Sequence, residues 1–128
     1  MKYLITIVLL VFTLSSFSQN LVPNYSFEYY SSCPTGPGQL PLAYPWIAPT
    51  NNNVEYFNVC SSSISSSMPQ DINGFYLYPR TGDACSAFWT YNTPDDNYRE
   101  YIQVQLLSSL AQSSCYYIEY YVLFFEVH

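Results

Sequence analysis

Apolar positions in this chain fall in short runs separated by turn residues, and few of them repeat with helical spacing. The best helical stretch, Val104 to Ser113, is short and has serines through it. Short runs between turn clusters predict an all-β architecture. Strands are expected near Leu21–Glu28, Leu42–Ile47, Val54–Val59, Gly74–Tyr78, Ala84–Tyr91, Tyr98–Leu106 and Tyr116–Val127. The breaks carry turn chemistry: Cys33 to Pro41 with its prolines and glycines, Pro49 to Asn53, the serines of Ser61 to Pro69, Arg80 to Asp83, and Thr93 to Asn97. Two strands have distinct patterns. Ile102, Val104 and Leu106 fall on one side of theirs, with Tyr101, Gln103 and Gln105 on the other, as in a half-buried strand. Tyr116–Val127 is apolar on both sides, interrupted by Glu119 and Glu126, as expected of a strand covered on both faces.

The first run differs in kind. Lys2 precedes an apolar stretch from Tyr3 to Leu14, and Ser15 to Ser18 follow. Ser16 and Ser18 fit the small-x-small pattern of signal peptidase, and the stretch is shorter than the roughly 20 residues of a membrane span. Residues 1–18 are therefore expected to be a cleaved signal peptide, with cleavage between Ser18 and Gln19 and no membrane span after its removal. Residues 19–128 then form one module of about 110 residues, enough for a single domain.

Charge narrows the partners. Without Lys2, only Arg80 and Arg99 stand against nine acids, a net charge of −7. Such a chain repels phosphate backbones and anionic lipid, so no nucleic-acid partner is expected. Only 9% of residues are charged and 20% are aromatic, and every tyrosine but Tyr3 follows the leader. Tyrosine gives a surface a flat face with a hydrogen-bonding tip, suited to neutral hydroxyl-rich ligands, and it is equally a strong strand former. Cys33, Cys60, Cys85 and Cys115 form an even set that export would oxidise, with three connectivities open. No cysteine pair has zinc spacing, and His128 is the lone histidine, so neither a zinc site nor a Ser/His/Asp or Cys/His catalytic set can be built. Asp95 and Asp96 read as a solvated turn. Asn24-Tyr25-Ser26 matches a glycosylation sequon.

Several segments resemble a known family. Asn20-Leu21-Val22-Pro23-Asn24-Tyr25-Ser26-Phe27-Glu28 resembles the opening of exported Bacteroidetes surface modules. Ser32-Cys33-Pro34 with Gly38-Gln39-Leu40, Glu55-Tyr56-Phe57-Asn58-Val59-Cys60, Tyr98-Arg99-Glu100-Tyr101-Ile102-Gln103 and Cys115 to Val122 match further segments in order. These modules are similar to galactose-binding-like jelly-roll domains, including carbohydrate-binding module families 4 and 9. The chain departs from the pattern at Gly82-Asp83-Ala84-Cys85-Ser86-Ala87, and it lacks the family's last strands after His128. The resemblance thus implies a jelly-roll β-sandwich that is incomplete at its C-terminus.

The resemblance further implies a Cys33–Cys60 disulfide, leaving Cys85 and Cys115 to pair or one of them to remain a buried thiol. It also implies that Glu28 helps hold a structural calcium, against the alternative of a solvated strand-end carboxylate. Trp46, Trp89 and Tyr101 are candidate sugar-stacking residues, with Gln103 and Gln105 to bond hydroxyls. Core packing is the competing role for both tryptophans. The expected function is a non-catalytic binding module on the bacterial surface with a glycan ligand. The alternative is a structural or adhesive spacer that contacts other surface proteins and binds no sugar. A fragment of an outer-membrane barrel fits less well, because the proline-rich loops are too long for barrel turns.

Overall fold

Strand-forming residues in this chain are held in register over short stretches only, and the reason is visible residue by residue. The structure is a computed structural model that describes residues 19–50, 53–72, 74–91 and 98–123. The expected leader and Asp95-Asp96 lie outside the described residues. Among the described residues there are four strands and one 3-10 turn, Leu40–Leu42. The strands are β1 (Glu55–Asn58), β2 (Gln70–Ile72), β3 (Phe75–Leu77) and β4 (Ala84–Ala87). This is the β-and-coil composition that the run lengths predict. None of the described helical residues forms a helix long and apolar enough to cross a membrane.

β1 and β4 form the central antiparallel pair, with Tyr56 opposite Ser86 and Asn58 opposite Ala84. Tyr56, Phe57 and Asn58 are all buried, so β1 is covered on both faces. Its large side chains face small ones across the ladder, which lets the two backbones pair without crowding. Ala43, Tyr56 and Ala84 make the core cluster, and Phe27 and Leu42 pack against it. Ser86 Oγ donates to the Glu55 carbonyl at 2.9 Å, a side-chain bond beside the ladder.

β2 and β3 form a hairpin in which Asp71 faces Tyr76. Gly74 takes φ +86° at its turn, a conformation that glycine adopts without steric cost. The Asp71 carboxylate accepts the Gly74 N–H at 2.8 Å. β3 falls within the expected Gly74–Tyr78. β2 was not expected, although Asn73-Gly74 is the dipeptide most favoured in two-residue hairpins. Reading Gly74 as the first residue of a strand hid that signal.

Four expected strands form no ladder among the described residues. Leu21–Glu28 is a set of turns: Asn24 and Phe27 have φ +46° and +64°, and the Phe27 N–H donates to the Asn24 carbonyl. Asparagine tolerates this left-handed conformation because its side chain bonds locally. Leu42–Ile47 begins in the 3-10 turn, where Pro41 removes a donor, and joins a sheet partner only at the Ile47–Gln103 bridge. Tyr98–Leu106 likewise has that one bridge, and residues 116–123 carry no ladder at all. Of Ala84–Tyr91, only β4 is strand.

The serine-rich loop is ordered by its own hydroxyls. Ser61 Oγ and Ser66 Oγ are 2.9 Å apart, the Ser63 N–H donates to Ser61 Oγ, and the Asn58 N–H donates to the Ser66 carbonyl. Ser61 and Ser66 are buried against the end of β1. A serine run therefore substitutes internal hydrogen bonds for apolar packing.

Candidate functional site

The expected contact residues lie on or beside the segment 98–106, and two short connections fix that segment. At one end the Glu100 N–H donates to the Trp89 carbonyl at 2.8 Å, while a Glu100 carboxylate oxygen accepts the Trp89 N–H at 2.9 Å. At the other end Gln103 and Ile47 exchange both backbone bonds at 2.9 Å. Between and beyond them the side chains alternate. Ile102, Val104 and Leu106 are half-buried, and Tyr101, Gln103 and Gln105 are exposed. The two-residue period read from the sequence thus holds where only one ladder pair forms.

Glu100 is the residue that sequence reasoning missed. It is 3% exposed, and its second oxygen accepts the Tyr98 hydroxyl at 2.9 Å. That hydrogen bond to a carboxylate pushes the Tyr98 hydroxyl above its ordinary range, with burial and the charges of Glu100 and Glu55 acting in the same direction. Glu55, in β1, is also pushed up, chiefly by burial; the Gly38 N–H bonded to it at 2.7 Å opposes the shift, and the Glu100 charge adds to it. Glu100 shares parity with Ile102 and Val104, and that is the signal that could have placed it on the inward face. Its oxygens are committed to holding Trp89 and Tyr98, which makes it a positioning group.

Trp89 and Tyr101 are 44% and 51% exposed. Glu100 precedes Tyr101 in the chain and is bonded to Trp89, so the two exposed rings belong to adjoining segments. Gln103 and Gln105 follow on the Tyr101 side. Trp46 precedes Ile47, the bridge partner of Gln103, but its side chain is engaged by the Asn24 corner. Its indole N–H donates to the Asn24 carbonyl at 2.8 Å, and its ring lies 5.0 Å from that of Phe27, tilted by 33°. Trp46 is half-buried and packs on Phe27, which in turn packs against the core cluster.

Asn24 organises that corner. It is buried, and its Nδ2 donates to the carbonyls of Tyr29, Ala43 and Tyr44 at 2.8, 3.2 and 2.9 Å. Its Oδ1 accepts the Tyr29 N–H at 2.9 Å. Tyr56 OH donates to the Phe27 carbonyl, and Asn58 Nδ2 donates to Tyr56 OH. Burial pushes the Tyr56 hydroxyl up to about 12, against the lowering effect of Asn58.

The metal expectation meets an unsuitable donor set. The Glu28 carboxylate accepts backbone N–H groups from Asp83 and Ala84 at 3.1–3.2 Å. Gly82, at φ +69°, lies so close that a Cβ there would overlap the carboxylate. Two amide hydrogens take up part of the carboxylate's acceptor capacity, and calcium needs six to eight oxygens. No cluster of three acidic, cysteine or histidine residues occurs among the described residues. Glu28 here fastens the turn before β4.

Cys33 and Cys60 are disulfide-bonded, with Cα atoms 5.7 Å apart. The second pairing considered does not form: Cys85 and Cys115 are free thiols. Cys85 sits on β4 with its sulfur 4.0 Å from that of Met68, and burial pushes its thiol up to about 12. Cys115 lies in an exposed segment that contributes no strand.

An open depression of about 540 Å³ lies between the serine loop and the β2–β3 turn, bordered by Ile64, Pro69, Asp71 and Tyr76. None of the five expected contact residues lines it. No family of proteins, curated protein or solved structure matches the chain.

Proposed function

We propose that this chain is an exported, non-catalytic binding module of galactose-binding-like jelly-roll type, and that it binds a neutral glycan through Trp89, Tyr101, Gln103 and Gln105. The carrying observation is the exposed Tyr101–Gln103–Gln105 face adjoining exposed Trp89, with the backbones tied through buried Glu100. Aromatic faces stack on the C–H faces of sugars, and primary amides both donate to and accept from hydroxyls. The segment is fixed before any ligand arrives, which lowers the ordering cost of binding. Export is supported by the Cys33–Cys60 disulfide, a bond that persists in oxidising compartments.

A glycan array probed with the purified chain tests the reading. Binding is expected to survive high salt, because neither partner of a stacking contact is charged. Trp89→Ala and Tyr101→Ala are each expected to weaken it by at least tenfold, while Tyr44→Ala, at an exposed ring elsewhere, leaves it unchanged. An array without signal would instead favour a spacer that contacts other surface proteins.

A further inference from the structure

The segment after Leu107 carries the largest exposed apolar strip among the described residues. From Tyr116 to Leu123, every side chain except Glu119 is apolar or aromatic, and these are 43–86% exposed. The strip touches the rest of the chain at Tyr121, whose ring lies 4.6 Å from the Arg80 guanidinium, and at Tyr116, whose hydroxyl accepts the Ala111 N–H at 2.6 Å. We propose that this strip is the interface through which two copies of the chain associate, as antiparallel strands centred on Tyr120.

Three observations support a second copy as the occupant. The first is area. At about 150–250 Å² per aromatic side chain, four tyrosines exposed to this degree present on the order of 500 Å². Ile118, Val122 and Leu123 raise the exposed total over both faces to roughly 800 Å², so the face of Ile118, Tyr120 and Val122 supplies on the order of 400 Å², the size of a weak, transient interface. The second is composition. Tyrosine, isoleucine and valine favour strands, neither proline nor glycine interrupts them, and Glu119 is the one charge.

The third is register. Centring the pair on Glu119 would set two carboxylates opposite each other, which is unfavourable. Centring it on Tyr120 sets each Glu119 opposite Tyr121 of the second copy. The Tyr121 hydroxyl already donates to the Glu119 carboxylate within one chain, so the exchange keeps that bond type. Ile118 then faces Val122 of the second copy. Ile118, Tyr120 and Val122 share one face and make a stripe complementary to itself, as a two-fold interface requires. A membrane is the weaker occupant, because nine acids against three basic residues oppose approach to anionic lipid and Glu119 interrupts the strip.

Sedimentation velocity on the purified chain, with the Cys33–Cys60 bond intact, is expected to show monomer–dimer exchange below about 100 µM. Ile118→Asp is expected to raise the dissociation constant at least tenfold while leaving the near-ultraviolet dichroism of the body unchanged, because Ile118 is exposed in the single chain. In a Cys115→Ser background, Tyr120→Cys is expected to form an interchain disulfide readily under mild oxidation, since the two positions meet on the axis. Tyr117→Cys, off the axis, forms it poorly. A chain that stays monomeric to about 100 µM overturns the proposal, as do equal cross-linking at the two positions, open-ended polymers, or monomers that co-sediment with phosphatidylcholine vesicles.

Discussion

The corner around Asn24 and the strip from Tyr116 to Leu123 are both rich in aromatic residues, yet in one Phe27, Trp46 and Tyr56 are drawn inward while in the other every ring is exposed. Around Asn24, backbone groups that would have sat in a ladder are taken up by side chains. Asn24 serves Tyr29, Ala43 and Tyr44, Trp46 serves the Asn24 carbonyl, and Tyr56 serves that of Phe27. Buried polar groups carry a cost unless they are bonded, so these contacts allow an irregular chain to be buried. Among the described residues, no side chain of the body donates a hydrogen bond to the backbone of the strip. Hydrophobicity alone therefore did not decide which segment was buried; the reach of a few small polar side chains did.

The two free thiols give the sharpest measure of this contrast. Cys85 belongs to the packed body, and its thiol is pushed from 9.0 up to about 12. That shift leaves far less thiolate on Cys85 than on an ordinary thiol at the same pH. A disulfide-exchange reagent at pH 8 is expected to label exposed Cys115 within minutes and half-buried Cys85 far more slowly. Equal labelling rates would erase the distinction between the regions.

The body can be loosened next. Cys33 and Cys60 close a loop with a sequence separation of 27. Replacing both with serine is expected to cost about 3.5 kcal/mol from the entropy of loop closure. Urea unfolding should show this as a lower midpoint, and a change near zero would mean that the body is held without the bond. Asn24→Ala removes four side-chain hydrogen bonds from buried surroundings and is expected to cost about 3 kcal/mol. Asn24→Gly keeps the φ +46° conformation accessible and separates backbone strain from lost bonding.

The smallest expected effect depends on pH. Burial raises the Glu55 carboxyl above 4.5, so the folded chain holds that proton more tightly than the unfolded one. The contribution of Glu55 is complete below pH 4.5 and is lost as pH rises through its folded-state value. Glu55→Gln still accepts the Gly38 N–H and is expected to flatten that decline in a stability-versus-pH series. An unchanged slope would show that Glu55 is better solvated than its position beside Glu100 implies.

Legibility in the sequence followed the same division. β1 lies within the predicted Val54–Val59, because its apolar residues are bounded by clear turns. The alternation from Tyr101 to Leu106 could be read directly, and it placed Tyr101, Gln103 and Gln105 on a common exposed face. The Cys33–Cys60 bond agrees with the pairing implied by the family resemblance. Leu21–Glu28 misled because its apolar residues look like a strand while Asn24 and Phe27 take positive φ, a choice made by contacts 19 and 20 residues away. Tyr116–Val127 misled because its pattern encodes a strand without supplying the neighbour, and no pairing partner appears among the described residues. Its last part, beyond residue 123, lies outside them.

The bonding of Asn24 carries a consequence for making the protein. Asn24-Tyr25-Ser26 is a sequon, and its amide nitrogen is the atom to which an oligosaccharyltransferase would attach a sugar. In the folded chain that nitrogen is buried and donates to three carbonyls. Attachment would replace one of its two hydrogens and put a bulky glycan where Ala43 and Tyr44 must approach. A chain glycosylated as it enters a eukaryotic secretory pathway would be barred from closing this corner, whereas a host that leaves Asn24 bare would let it close.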